Sequence, residues 1–279
     1  MNLHDLFAIP RAEHPERTAL RFRTGEEPET RMSYRELLAH ADRLAALFAA
    51  RGVGRGDRVA FYLGNRPGFV AAYLAVLRLG AVMVPMNLAY RRPEVAHVLT
   101  DAEPVLLVTE REQLAVLDEL PAGERGGLRE IVTVEELEDA EAPTLPEEGG
   151  RVDGSDLALL LYTSGTTGRS KGARLTHDNL LATVTGLLAA WGWRREDELL
   201  LTLPLFHTHG LVVGLATALA AGACVRLHPK FEASRVVTAL ASGEPTLFFG
   251  VPTLYVRLVR ELASRDPRPD LSSMRLFCS

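Results

Sequence analysis

Residues 156–180 read DLALLLYTSGTTGRSKGARLTHDNL. The run LALLL has the length and composition of one buried strand. Behind it, Gly165, Gly168 and Gly172 are interspersed with Thr163, Ser164, Thr166, Thr167 and Ser170, and Lys171 stands near the end. Glycine lets a backbone turn sharply and present its N–H groups to an anion. The hydroxyls add donors, and a lysine adds a mobile point charge. Among 31 Lys and Arg residues only Lys171 and Lys230 are lysine. A strand feeding such a loop sets it at the carboxyl edge of a parallel sheet, where ligands of α/β folds bind. The chemistry points to phosphate. A Walker-type loop needs Gly-x4-Gly-Lys-Ser/Thr. Here Arg169 and Ser170 separate Gly168 from Lys171, and Gly172 follows it. A kinase or GTPase of that class is therefore disfavoured. The competing reading is an ordinary Gly/Ser/Thr surface loop.

Outward from this stretch, strand-like and helix-like segments alternate. MSYRELLAHADRLAALFAARG opens with a capping box, Ser33 to Glu36, and a Met32–Leu37 staple, then repeats apolar residues at helical spacing. GDRVAFYLGN, AVMVPMN and PVLLVTE read as strands; helices starting at Pro67 and around RRPEVAHVLTDAE separate them. Residues 121–156 are rich in Glu, Gly and Pro and read as a surface connection with one weak strand, LREIVTVEEL. After it come a helix capped by Thr176, with a Leu175–Leu180 staple, and four further strands, ELLLTLP, ACVRLH, PTLFFGV and MRLFCS, with helices between them. The expected fold is α/β, with mostly parallel sheets covered by helices on both faces. The expected division is residues 1–155, a first α/β subdomain with the acidic connection, and 156–279, a second carrying the phosphate loop.

The composition bounds the partners. With 279 residues, 47% hydrophobic and 24% charged, the chain can bury a substantial core. A net charge of −5 and no basic run argue against nucleic acid. Two distant cysteines, Cys224 and Cys278, suggest neither a disulfide framework nor a zinc site. The apolar stretch 209–225 is short for a membrane span and carries three glycines, so a buried helix running into a strand is expected. No signal peptide is read at the N-terminus. A cytoplasmic setting is the expectation.

YTSGTTGRSKGARLTHDNL resembles the signature of the AMP-forming acyl-CoA synthetases, the adenylate-forming superfamily. LPLFHTHGL, FFGVPTLYVRL, LAVLRLGAVMVPMNLAYRRPEVAHVLTDAEP and the stretch from Met32 to Asn65 agree in order and spacing. The resemblance implies the N-terminal part of that family's large domain. It implies activation of a carboxylate by Mg2+·ATP to acyl-AMP and pyrophosphate, followed by transfer to coenzyme A. It also implies that Thr163, Ser164, Gly165, Thr166, Thr167, Gly168 and Lys171 hold the β- and γ-phosphates, where leaving-group charge develops.

In PLFHTHG, His207 and His209 stand two apart. Metal ligation lacks a third nearby ligand, and a packed helix start is the plainer alternative. By resemblance His207 lies beside the substrate carboxylate and the α-phosphate, where it orients the attacking oxygen. LPLFHTHGL, LHPKF, FFGVPTLYVRL and MRLF together resemble malonyl-CoA synthetases within the superfamily. Malonate or methylmalonate would bring a second carboxylate that needs a partner when buried. His209, Arg257 and Arg275 are the candidates. On a helix from Pro252, Arg257 shares a stripe with Thr253, Arg260, Glu261 and Ser264, which reads as a solvent face. Both placements of Arg257 stand at this point. Lys230 reads as a surface residue.

The family pattern continues past Ser279, with an adenine-contacting motif, a ribose aspartate and a small C-terminal domain holding a catalytic lysine. A chain lacking them is expected to make no complete thioester by itself. No metal ligand is assigned. The other readings are a medium- or long-chain fatty acyl-CoA ligase, an adenylation enzyme loading a carrier protein, and a nucleotide-binding remnant without turnover.

Overall fold

The computed structural model describes residues 2–25, 27–144, 152–163 and 169–279. The chain starts with α1 (Leu3–Glu13), β1 (Thr18–Phe22), β2 (Thr30–Ser33) and α2 (Tyr34–Ala50). Alternation follows: β3 (Arg58–Tyr62), α3 (Pro67–Arg78), β4 (Val82–Pro85), α4 (Arg92–Ala102), β5 (Leu106–Thr109), the short α5 (Leu114–Asp118), β6 (Glu130–Thr133) and α6 (Val134–Asp139). Next come β7 (Leu157–Thr163), β8 (Lys171–Thr176), α7 (His177–Ala190) and β9 (Glu198–Leu201). A π-helical segment, His209–Ala216, runs into α8 (Thr217–Ala220). The chain closes with β10 (Cys224–Leu227), α9 (Ala233–Leu240), β11 (Leu247–Phe249), α10 (Pro252–Ala263) and β12 (Leu276–Cys278).

The expected helix starts are formed as their sequences dictate. Glu36 accepts from the Ser33 amide at 2.7 Å, and the Ser33 hydroxyl accepts from the Glu36 amide at 3.2 Å, so two otherwise unpaired donors are satisfied reciprocally. Thr176 and Asn179 exchange the same pair of bonds at α7. Pro67 occupies the first turn of α3. That helix stops at Gly80, whose φ of +64° favours glycine and where a Cβ would meet Val152 Cγ2 at 2.6 Å.

Two compact units result, one made of Met1–Leu6 and Leu38–Ala182, the other of Phe7–Leu37 and Thr183–Ser279. The first holds a six-stranded sheet in the order β6-β5-β3-β4-β7-β8. All its pairings are parallel except β7 with β8. The second holds β12-β11-β9-β10-β1-β2, parallel throughout except for β1 with β2. The expected α/β architecture of two mostly parallel sheets flanked by helices is what forms.

The sheets divide the chain differently from a single cut after residue 155. β7 joins the first sheet through its parallel pairing with β4, while β1 joins the second through β10. The acidic stretch is also more than a connection, because it supplies β6, the edge strand beside β5, and α6.

Each unit has its own core. In the first, Ala60, Tyr62 and Val84 from the strands pack with Val95, Val98 and Leu99 of α4. In the second, Leu200 and Phe248 pack with Val236, Val237 and Leu240 of α9 and Leu258 of α10. Among the described residues no helix is long and apolar enough to cross a membrane.

Candidate functional site

The glycine-rich stretch lies between the two antiparallel strands of a hairpin. β7 delivers Thr163 at the carboxyl end of the parallel strands, and β8 begins at Lys171, directly opposite it. Lys171 is thus the first residue of a strand, a correction to its reading as part of the loop. Where a P-loop runs from its glycines into a helix, here the antiparallel strand β8 comes next, and α7 starts only after it. Thr163 and Lys171 are both exposed. Ser164, Gly165, Thr166, Thr167 and Gly168 lie outside the described residues.

The stem of this hairpin is tied to α4. Tyr162 donates its hydroxyl proton to Asp101 Oδ2 at 2.6 Å. His97 Nε2 lies 2.8 Å from the carbonyl oxygen of Ser170, so the tautomer carrying Nε2–H donates to it. The His97 and Tyr162 rings meet edge-on, centroids 5.9 Å apart. None of these roles was read from sequence. The available signal was two polar residues at i and i+4 in AHVLTDAE, one face of an amphipathic helix.

In the second unit, His207 and His209 lie past β9, at the entry to the π-helical segment. His207 is exposed, and its ring lies tilted against Phe206, centroids 4.5 Å apart. His209 is half-buried beside Phe249 at 6.2 Å, and Trp191 and Trp193 meet Phe249 edge-on at 5.2 and 5.8 Å. Desolvation pulls both imidazoles below the ordinary histidine value. Burial thus favours the neutral form of both rings over the cation. Gly210 allows the segment to start here, since a Cβ would stand 2.4 Å from the Pro204 carbonyl oxygen. The wide i→i+5 turn is matched by Thr217, whose hydroxyl donates to the Val212 carbonyl at 3.1 Å. Such π segments are rare, and those seen are frequently at functional sites.

Arg257 lies on the exposed side of α10, with its guanidinium 4.9 Å above the Phe231 ring. Arg275 is removed from the list of substrate partners. Its Nη2 sits 2.6 Å from Asp197 Oδ2, its Nε bonds Oδ1 at 3.1 Å, and its Nη1 donates to the Trp191 carbonyl at 2.8 Å. Two of its donors are thus engaged by a carboxylate whose side chain is only 4% exposed and a third by a carbonyl, which ties the residue just ahead of β12 to the one just ahead of β9. Lys230 is exposed and faces Glu232 at 3.4 Å.

Among the described residues no group of three or more His, Cys, Asp or Glu is placed to hold a metal ion.

Comparison with known proteins agrees along nearly the whole chain. The family model described as AMP-binding enzyme matches residues 7–279. The chain is 36% identical over 250 residues to a feruloyl-CoA synthase of Amycolatopsis sp, which covers 89% of this chain and 49% of that protein. It is 34% identical over 243 residues to the mitochondrial malonate–CoA ligase of Homo sapiens, covering 82% of this chain and 41% of the relative. The crystal structure of apo MatB from Rhodopseudomonas palustris matches with a TM-score of 0.84 at 33% identity, over 99% of this chain and 54% of that one. The chain spans about half the length of these relatives. The chain belongs to the AMP-binding enzyme family.

Proposed function

We propose that the protein is an ATP-dependent carboxylate–CoA ligase, with malonate or methylmalonate as its acid. In the first step a carboxylate oxygen attacks the α-phosphorus of Mg·ATP, the bond to the β-phosphate oxygen breaks, and pyrophosphate leaves. In the second the thiol of coenzyme A attacks the acyl carbon and AMP departs. Thr163, the adjoining residues 164–168 and Lys171 stabilise the charge that builds on the β- and γ-phosphates. His207, held neutral, orients the attacking carboxylate oxygen. His209 donates a hydrogen bond to the far carboxylate, and Arg257 supplies its counter-charge.

The observation that carries this reading is the hairpin, which opposes the rare Lys171 to Thr163 across the ends of the glycine-rich stretch, at the carboxyl edge of a parallel sheet. Membership of the family supports the reaction class. The Arg257–Phe231 stacking does not oppose the clamp role, because an exposed cation–π contact is worth only about 0.5–1 kcal/mol. A desolvated carboxylate would outbid it, since charge-assisted pairs are roughly twice as strong as neutral hydrogen bonds.

A second reading, an aryl carboxylate, is favoured by the rings of Trp191, Trp193 and Phe249 beside His209 and by the feruloyl-CoA synthase relative. The test is ATP–pyrophosphate exchange by the full-length protein over a carboxylate panel. Lys171→Ala should slow exchange at least about tenfold for every acid, the cost of one charge-assisted contact. Arg257→Ala should depress malonate far more than a monocarboxylate of similar length. Unchanged exchange in Lys171→Ala would remove the phosphate role, and equal losses on both acids would remove the clamp.

A further inference from the structure

We propose that α4 positions the phosphate hairpin, with His97 and Asp101 acting as a brace on its two stems. The inference rests on the phosphate reading of residues 163–171.

β8 is poorly located by its own contacts. It lies at the sheet edge with β7 as its one strand neighbour, and most of its residues are exposed or half-buried. Hydrophobic burial therefore does little to set where Lys171 begins. α4, by contrast, is anchored by Val95, Val98, Leu99 and Ala102 in the core of the first unit. Its residues 97 and 101, one helical turn apart, reach the two sides of the hairpin separately. His97 holds the Ser170 carbonyl, one residue before Lys171. Asp101 holds the Tyr162 hydroxyl, one residue before Thr163.

The two arms are coupled by the edge-on contact of the His97 and Tyr162 rings. Gly172, paired opposite Tyr162, leaves room chiefly for Leu160, since a Cβ there would stand 2.9 Å from Leu160 Cδ1 and 3.4 Å from Tyr162 Cζ. A rigid helix thus fixes the separation and direction of both ends of the phosphate loop. Small displacements of a binding group are costly, because preorganisation is lost before any contact is broken.

His97 and Asp101 are positioning residues, and neither is assigned contact with the phosphates. The test uses calorimetric titration of the 279-residue chain with pyrophosphate and with Mg·ATP, alongside thermal melting. His97→Phe keeps a ring against Tyr162 and removes the donor; His97→Gln keeps a donor. His97→Phe should weaken pyrophosphate binding about fivefold, the worth of one hydrogen bond, with the melting temperature little changed. His97→Gln should recover most of that loss. Tyr162→Phe should weaken binding to a similar degree, and the double variant should lose less than the product of the two, because both arms hold the ends of the same loop.

Binding within twofold of wild type in both His97→Phe and Tyr162→Phe would overturn the brace while the phosphate site stands. A loss that follows melting temperature and is not rescued by Gln would also overturn it. Should His97→Phe fail to fold, Tyr162→Phe decides the matter alone. No binding by the wild-type chain would bring down the phosphate reading and the brace with it.

Discussion

Replacing Arg275 with Met leaves Asp197 as a carboxylate with 4% side-chain exposure and no cation beside it. Removing one member of a buried pair costs about 3–5 kcal/mol. Two features reduce that figure. The Arg194 amide and the Thr246 hydroxyl still donate to the carboxylate at 2.8 and 2.9 Å, and the Arg275 side chain is itself 26% exposed. The expected loss is therefore about 2–3 kcal/mol, a 30- to 150-fold change in the folding equilibrium. Urea unfolding followed by tryptophan fluorescence measures it. The chain's two tryptophans, Trp191 and Trp193, both pack on Phe249 in the same unit as the pair. Adding Asp197→Asn to Arg275→Met removes the stranded charge and should return about 1 kcal/mol or more relative to the single variant. Stability of Arg275→Met within about 0.5 kcal/mol of wild type, the scatter of neutral surface changes, would refute the assignment and reopen Arg275 as a substrate partner.

Two further outcomes follow from particular positions. Gly210→Ala should destabilise the second unit by about 1–3 kcal/mol, because its Cβ would strike the Pro204 carbonyl, which is backbone and cannot rotate away. Gly186→Ala on α7, where nothing lies within 4 Å, should instead stabilise by up to about 1 kcal/mol; equal effects in the two melts would contradict the packing argument. Acid should weaken the fold through His228, which burial, reinforced by Arg226 and Arg235, pushes down to about 4. Its folded value lies below the unfolded value of about 6.5, so the unfolded chain binds the proton first and stability falls as pH drops. Between pH 7 and 5 this amounts to about 2 kcal/mol. His228→Gln should flatten that slope in urea unfolding at pH 7, 6 and 5. Some slope should remain, since burial also lowers His40 and His177. An unchanged slope in His228→Gln would rule His228 out as its source.

The parts legible in the sequence are those governed by local physics. Capping at Ser33–Glu36 and Thr176 depends on side chains three residues apart, so the helix starts could be read directly. The strands 58–62, 82–85 and 106–109 are buried in parallel sheet, and burial on both faces writes itself as continuous apolar runs. β1 and β2 are not legible in the sequence. Arg21, the fourth residue of TALRF, breaks the apolar signal, yet its side chain is only 9% exposed because Glu29, Glu198 and Glu244 surround it. Glu29 is 8 residues away, but Glu198 and Glu244 are 177 and 223 away, and no local window contains those two.

The candidate site divides in the same way. Sequence chemistry by itself determined that residues 162–172 suit an anion and that the spacing is not a P-loop's. It also determined that His207 and His209 follow a strand. Tertiary structure alone decided that Lys171 opens an antiparallel strand opposite Thr163, because strand pairing is a non-local choice. It alone spent Arg275 on Asp197, 78 residues away, and set Arg257 over Phe231. It alone brought His97 and Asp101 to the two stems of the hairpin. Residue type limits what a side chain is able to do. Which of those things it does depends on the partner the fold delivers, and a short-range pattern carries no information about that partner.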